Sequence, residues 1–492
     1  MPKVGKNAFL KLKISINIDL YKQNNNINIA LIKQNILNFT VSKKLKQTGM
    51  TYYKRDIEPE LLRWKNDNER HPLLIRGARQ VGKSAVVRNF SSQFRYFVEV
   101  NFEMDSNVKN VFDGNLRPQS ICEQLSLLYD TPIVAGETLL FFDEIQSCLP
   151  AISSLRFFYE QYPELHVIAA GSLLEFALSE LPSFGVGRVT SLFLYPFSFG
   201  EFLHAANAGL LRKEIADSFP QKPLSEPVHK KTLGLYKRFL ILGGMPKVVS
   251  SYFDGVDLLK CQSLLDDLIS GYDADFVKYK KRVSSSLIRT VFKSVVEQNG
   301  KKFVYTNSSP ELNRLQVKDA LELLTMAGLV FPVTHTAANG IPLGAEINPK
   351  MRKYIVFDSG IFQRLLGLNL SEVLLNNNFK AINTGAIAEL NVGLELIKTA
   401  SCYQRQTLYY WHREAKSSNA EVDYLIQREM SIFPIEVKAG TKGSMQSLYL
   451  FMDSKKIKKG IRVSQENFST YQNIDVYPLY AVANLNKMIV SE

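Results

Sequence analysis

Cysteine is scarce in this chain, and so is any long apolar run. The four cysteines, Cys122, Cys148, Cys261 and Cys402, are spread through 492 residues with no C-x-x-C pair. That spacing argues against a disulfide scaffold and against a zinc site, and fits a reducing, cytoplasmic setting. No stretch of 18 uninterrupted apolar residues occurs, so neither a transmembrane helix nor a membrane partner is expected. The most aromatic run, SLFLYPFSFGEFL, is broken by Pro196, Gly200 and Glu201.

Acids are nearly missing from one segment only. Residues 1–49 hold nine lysines against one acid, Asp19, and so carry +8 of the net +13, leaving +5 for the other 443 residues. So small an excess gives little support to a large nucleic-acid-binding surface. The segment is rich in Asn and Ile, keeps no helical or strand period, and lacks the compact apolar core and small-residue cleavage site of a secretory signal. We read Met50 as the start of the folded protein and residues 1–49 as a non-native or disordered leader, either translated upstream sequence or a basic tail. The length predicts two to four domains.

What is present begins at HPLLIRGARQVGKSAVVRNF. An apolar strand over Leu73–Ile75 runs into Gly77-Ala78-Arg79-Gln80-Val81-Gly82-Lys83-Ser84 and then into a helical segment. This is the pattern G-x-x-x-x-G-K-[ST] between the strand and helix it requires, and it predicts a phosphate-binding loop. Its glycines let backbone N–H groups face a phosphate, and the helix N-terminus adds positive potential. Lys83 would reach the terminal phosphates of ATP, and Ser84 would ligate Mg²⁺. Sixty residues on, ETLLFFDEIQS supplies a buried-type strand ending in Asp143-Glu144. Asp143 would hold the Mg²⁺ shell, with Glu144 placed to orient or deprotonate the attacking water. A further strand, LHVIAAGS, ends at Gly171-Ser172. Ser172 is either a γ-phosphate sensor or part of a small-residue turn.

GARQVGKS, LFFDEIQ, LHVIAAGSLLEFAL, VGRVTSLFLYPFSFGEFL and LGGMPKVV together resemble the bacterial AAA-type P-loop ATPases fused to a C-terminal domain of unknown function. The likeness continues through GYDADFVKYKKR, KKFVYTNSS, AGLVFPVTHT, KMRKYIVFDSGIF and EVDYLI…IEVKAG. The resemblance makes Arg188 a candidate nucleotide-sensing or finger arginine, the alternative being a solvated loop charge. Phe184-Gly185-Val186 stands where similar proteins often carry a proline.

Between the two ends, IADSFPQKPLSEPVHKK reads as a surface loop or lid boundary. The helices on either side of Gly243-Gly244 read as a mobile helical subdomain. Val317, Ala320, Leu321 and Leu324 lie at helical spacing before Gly328 and the strand LVFPV. That order suggests a winged helix, which either packs against protein or meets DNA phosphates through Lys301, Lys302, Arg314 and Lys318.

Near the C-terminus, Glu389 lies at the edge of an apolar helical arc, between small Ala386 and Gly393, with Glu395 expected to face outward. In EVDYLIQREMSIFPIEVKAG, Glu421 and Asp423 share one strand face, as do Glu436 and Lys438 on the next strand. Helix glutamate, strand aspartate, then Glu-x-Lys resembles the PD-(D/E)xK nuclease superfamily. By that resemblance Glu389, Asp423 and Glu436 would bind one or two Mg²⁺ or Mn²⁺ ions, and Lys438 would stabilise the attacking hydroxide or the phosphorus. Glu421 is a secondary candidate or rim charge, and His412 reads as structural or substrate-facing.

The expected architecture is therefore α/β: a P-loop ATPase core over 50–204, a helical subdomain over 205–283, a winged-helix-like module over 284–337 and a restriction-endonuclease-like domain over 338–492. The expected activity is ATP hydrolysis, with nuclease activity left open against a nucleotide-dependent switch or adaptor. ATP and Mg²⁺ are the expected ligands. DNA, a protein partner and a second copy of the chain are candidate partners.

Overall fold

A computed structural model describes residues 51–181, 187–279, 283–308, 313–370, 384–415 and 418–487. The chain divides into two units, residues 1–49 and 50–492. The expected leader and the Phe184-Gly185-Val186 loop lie outside the described residues.

Five short apolar runs form one parallel sheet: β1 (Leu73–Arg76), β2 (Tyr96–Asn101), β3 (Thr138–Asp143), β4 (His166–Ala170) and β5 (Thr190–Phe193). Their spatial order is β2-β3-β4-β1-β5. β3 and β4 are buried along their whole length, which is why both read as continuous apolar runs without alternation. Successive residues of β1 feed different cores: Leu73 and Ile75 pack with Val86, Phe141 and Ile168 on one face, while Leu74 packs with Val98, Leu140, Phe142 and Val167 on the other. Because β4 lies between β3 and β1, all parallel, the three loops at their carboxyl ends meet along one edge. Those loops hold the G-x-x-x-x-G-K-S pattern, the Asp-Glu pair and Gly171-Ser172.

A helical layer follows, Phe199–Ala205, Gly209–Ala216, Glu226–Leu242, Pro246–Phe253 and Leu258–Asp275, with the expected break at Gly243-Gly244. The stretch expected as a surface loop is shorter than its composition suggested, since helix begins again at Glu226 with Pro227 in its first turn. The expected domain limit at 204/205 falls inside the helix Phe199–Ala205.

The helices Ser285–Glu297 and Arg314–Met326 precede the hairpin of β6 (Val330–Thr336) and β7 (Ile347–Val356). The remaining strands are β8 (Leu408–Ala415), β9 (Ser418–Arg428), β10 (Ser431–Val437), β11 (Gly460–Ser464), β12 (Ser469–Tyr471) and β13 (Ile474–Pro478). All eight form one mixed sheet in the order β12-β13-β11-β10-β9-β8-β6-β7. β8, β9 and β10 are antiparallel neighbours, and β10 and β11 are parallel across the helix Gln446–Lys455. The hairpin is not free-standing: β6 pairs in parallel with β8, so β7 becomes the outer strand of the C-terminal sheet. The expected limit at 337/338 therefore separates two strands that are hydrogen-bonded to each other. Among the described residues no helix is long and apolar enough to cross a membrane, and all four cysteines are free.

Candidate nucleotide site and C-terminal acid cluster

The loop after β1 takes the backbone shape its glycines allow. Gly77, Gln80 and Gly82 all have positive φ, at 150°, 63° and 96°, and the helix Lys83–Phe90 starts directly after Gly82. A Cβ on Gly77 would lie 2.1 Å from the Leu194 carbonyl oxygen, so even alanine is excluded by contact as well as by conformation. Lys83 is buried, and its Nζ donates to the carbonyls of Gly77 at 3.0 Å and Ala78 at 2.8 Å, curling back over its own loop. Burial lowers its amine to about 8, with Glu144 and Asp143 opposing. The Ser84 hydroxyl donates to Asp143 Oδ1 at 2.9 Å. Burial pushes the Asp143 carboxyl up, and the Ser84 bond opposes it. Asn101 Nδ2 donates to Asp143 Oδ2 at 3.3 Å.

At the ends of β3 and β4 the sequence-predicted residues also come together. Glu144 sits at φ 50°, a left-handed conformation that is strained for a glutamate and typical of functional turns. Its Oε2 accepts from Gln146 Nε2 at 2.7 Å and from the Ser172 hydroxyl at 3.4 Å. Gln146 was not among the sequence-predicted site residues, although it stands two residues after Glu144 in the quoted LFFDEIQ. Arg188 lies elsewhere. It is exposed and pairs with Glu160 at 2.5 Å, so the structure does not bring it to the P-loop of its own chain.

Side chains from outside the sheet brace the loop. Arg55 is 3% exposed; its Nη1 donates to the Val81 carbonyl at 2.9 Å and its Nε to Glu201 Oε1 at 2.8 Å. Burial alone would raise the Glu201 carboxyl, but the Arg55 guanidinium and backbone N–H groups hold it below the usual range. Arg79 Nη1 pairs with Asp275 at 2.6 Å, and the Tyr272 hydroxyl donates to the Arg79 carbonyl at 3.0 Å. The loop is thus tied to the helix Leu258–Asp275, and neither tie is visible in the eight-residue pattern.

In the C-terminal sheet the acids do gather, in an arrangement different from the expected one. Lys353 of β7 projects into them: its Nζ is 2.9 Å from Glu389 Oε1 and also bonds Glu421. Lys438 Nζ donates to Glu436 Oε1 at 2.6 Å, and the Val437 N–H donates to Asp423 Oδ2 at 2.8 Å. Burial raises the carboxyls of Glu389, Asp423 and Glu436. Burial would lower Lys353, but Glu389, Asp423 and Glu421 hold it above its ordinary value. The space beside Glu389 is made by Gly300, where a Cβ would come within 2.8 Å of Oε2. Gly393 admits the Tyr424 ring, whose hydroxyl donates to the Glu389 carbonyl at 2.9 Å.

The metal site expected at these acids is not shown, and the expectation for Glu395 is corrected. Among the described residues no group of three or more His, Cys, Asp or Glu is placed to hold a metal ion. Lys353, Lys438 and the Val437 N–H engage these carboxylates instead. Glu395 does not face outward; it is 3% exposed and accepts from the Phe199 N–H at 3.1 Å. Burial raises its carboxyl from 4.5 to about 7, with Lys398 opposing. A raised carboxyl favours the folded state fully below its unfolded value, and that stability is lost as pH rises from about 4.5 towards 7. Glu395→Gln is therefore expected to narrow the stability difference between acid and neutral pH by on the order of 2–3 kcal/mol. Urea unfolding of both proteins across this range checks it.

The P-loop, the Asp-Glu strand end and the strand order fit a P-loop ATPase α/β core. Residues 69–203 match the family model for an AAA domain, residues 233–372 match a domain of unknown function (DUF8612), and residues 384–482 match another (DUF4143). No curated protein matches the chain. Among solved structures, the chain is similar to the Walker-type ATPase paby2304 of Pyrococcus abyssi, at 13% identity over 64% of this chain and 96% of that one, with a TM-score of 0.41. A signal-transduction ATPase with numerous domains from Pyrococcus horikoshii matches at 11% identity over 70% of this chain and 48% of that one, TM-score 0.25. Drosophila ORC bound to DNA matches at 13% identity over 65% of this chain and 88% of that one, TM-score 0.23.

Proposed function

We propose that the chain hydrolyses Mg²⁺-ATP at its P-loop and works as a nucleotide-dependent switch on its C-terminal, nuclease-like domain. The observation that carries the first part is the Ser84–Asp143 contact at 2.9 Å beside Lys83. A hydroxyl and a carboxylate at one loop edge are the hard oxygen donors Mg²⁺ prefers, so the residues fit the ion. Bound Mg²⁺-ATP supplies the electrophilic phosphorus and its charge neutralisation. Lys83 exchanges its two loop carbonyls for phosphate oxygens. Glu144, held by Gln146 and Ser172, accepts the proton of the attacking water.

The switch reading is supported by a chain of contacts from the ATPase core. The Phe197 N–H donates to the Gly244 carbonyl at 2.7 Å. The Gly244 N–H donates to Asp358 Oδ2 at 2.6 Å. Asp358 is fully buried two residues beyond β7, the strand that carries Lys353. Lys398, at the end of the helix carrying Glu389, donates to the Phe197 carbonyl at 3.0 Å.

A second reading, metal-dependent cutting of DNA or RNA, draws on the helix–strand–strand placement of Glu389, Asp423, Glu436 and Lys438 and on exposed Lys301 and Lys302 near Gly300. Lys353 among the acids favours the non-cutting switch. Plasmid, branched DNA and RNA incubated with Mg²⁺ or Mn²⁺, with and without ATP, decide between them. Cutting lost in Asp423→Ala would support the nuclease; no cutting, with affinity for DNA, RNA or a partner that changes with nucleotide, supports the switch. Glu144→Gln serves as the ATP-held form: its turnover is expected to fall about 10²-fold or more while ATP binding persists. Unchanged turnover would remove Glu144 from the base role.

A further inference from the structure

The acids of the C-terminal sheet already enclose a cation, and it comes from an unexpected strand. Lys353 is 1% exposed. It belongs to β7, the outer strand of the sheet, whereas Glu421 and Asp423 lie on β9, Glu436 on β10 and Glu389 on the helix Thr384–Lys398. Its ammonium is bonded to both Glu389 and Glu421 and stands 5.1 Å over the Tyr410 ring.

A buried lysine is tolerated only where opposite charge and hydrogen bonds replace its hydration. Here two carboxylates and an aromatic face do so. The same groups would have to release it before a divalent ion could bridge Glu389 to the other acids. Lys438 takes Glu436 Oε1, and the Val437 N–H takes Asp423 Oδ2. Glu436 Oε2 remains buried without a partner, on a residue 6% exposed, and is an oxygen donor open to an incoming ligand. A hard divalent cation needs six or more oxygen donors, and the Lys353 ammonium occupies the place between Glu389 and Glu421 where those donors would converge.

We propose that this cluster is a lysine-occupied cation site, in which the Lys353 ammonium takes the place of a divalent metal and Mg²⁺ or Mn²⁺ enters only when that ammonium is withdrawn. The site belongs jointly to the β6–β7 hairpin and the C-terminal strands, so a shift of β7 would open it. The inference rests on the cluster's geometry and stands or falls apart from ATP hydrolysis.

The test is Mn²⁺ binding to the full chain without nucleotide, in a Ser84→Ala background that removes a ligand of the P-loop ion, followed by electron paramagnetic resonance. The background protein and its Lys353→Arg derivative are expected to leave Mn²⁺ free. Lys353→Met is expected to bind Mn²⁺ roughly 10-fold tighter or more, and to lose that binding again with Asp423→Asn. Removing a buried ammonium can also unfold the domain, so melting with and without Mn²⁺ is measured alongside. A Lys353→Met protein that folds or melts higher only with Mn²⁺ supports the proposal. Mn²⁺ binding by the Lys353-containing background that disappears with Asp423→Asn overturns it. So does a Lys353→Met protein that is folded yet binds no Mn²⁺, or one that is unfolded whether or not Mn²⁺ is present.

Discussion

Lys83→Ala is expected to lower kcat/KM for ATP on the order of 10³-fold or more. The Lys83 ammonium lies within the loop's curl, and its two bonds to Gly77 and Ala78 carbonyls show that its Nζ reaches the inner face of the loop. Charge spread over the transferred phosphoryl oxygens has little covalent help, so positioned cations supply most of the stabilisation. Alanine removes that cation and leaves two carbonyls with nothing to bind, so affinity for ATP should fall together with turnover. Lys83→Arg keeps the charge, but its planar fork cannot occupy the same buried position, and only partial rescue is expected. Steady-state phosphate release and a fluorescent-nucleotide titration measure the two effects separately. Wild-type hydrolysis in Lys83→Ala would place the nucleotide site elsewhere in the chain.

What the sequence made legible was what is local. The P-loop reads directly because strand, loop and helix are contiguous, and its geometry follows from two glycines and one lysine at fixed spacing. Asp143, Glu144 and Ser172 could be read because each ends a buried parallel strand, and such strands bring their ends to one edge. Arg55, Asp275 and Lys353 could not be read, since each meets its partner across a long sequence separation. Arg55 bonds Glu201, Asp275 pairs with Arg79, and Lys353 meets Glu389 and Glu421. Lys353 also stands at the end of the basic stretch KMRK, where solvation is the ordinary fate of a lysine. Glu395 was misplaced for a related reason. Its helix packs against the Phe199 backbone as well as the C-terminal strands, so its second face is also buried and a one-sided apolar arc describes only half of it. The hairpin β6–β7 read as a separate module because nothing in the strand pattern reports that β6 will pair with β8, whose sequence lies beyond the helix Thr384–Lys398.

Arg55→Met is expected to destabilise the fold by about 3–5 kcal/mol, because it leaves the Glu201 carboxylate buried without its partner. Arg55 and Glu201 are 3% and 5% exposed, so water cannot replace the lost ion pair. The Ser198 N–H, 2.9 Å from Glu201 Oε2, and the Asp56 N–H, 2.8 Å from Oε1, remain as donors, which limits the loss to the guanidinium's share. Glu201 is also the third residue of the helix Phe199–Ala205 and closes a capping box with Ser198, so a Glu201→Leu control carries a cap penalty of about 1 kcal/mol in addition. The double variant Arg55→Met/Glu201→Leu should recover part of the Arg55→Met loss, since no charge is then stranded. Arg55 further holds the Val81 carbonyl within the P-loop, so ATP affinity should fall in both Arg55 variants even where stability is restored. Guanidinium unfolding of the three proteins, with nucleotide titrations at matched temperature, separates the two roles. Equal stability of Arg55→Met and the wild type would mean that the buried pair does not hold the loop. Restored stability with ATP affinity still weakened would show that Arg55 shapes the nucleotide site directly, through Val81.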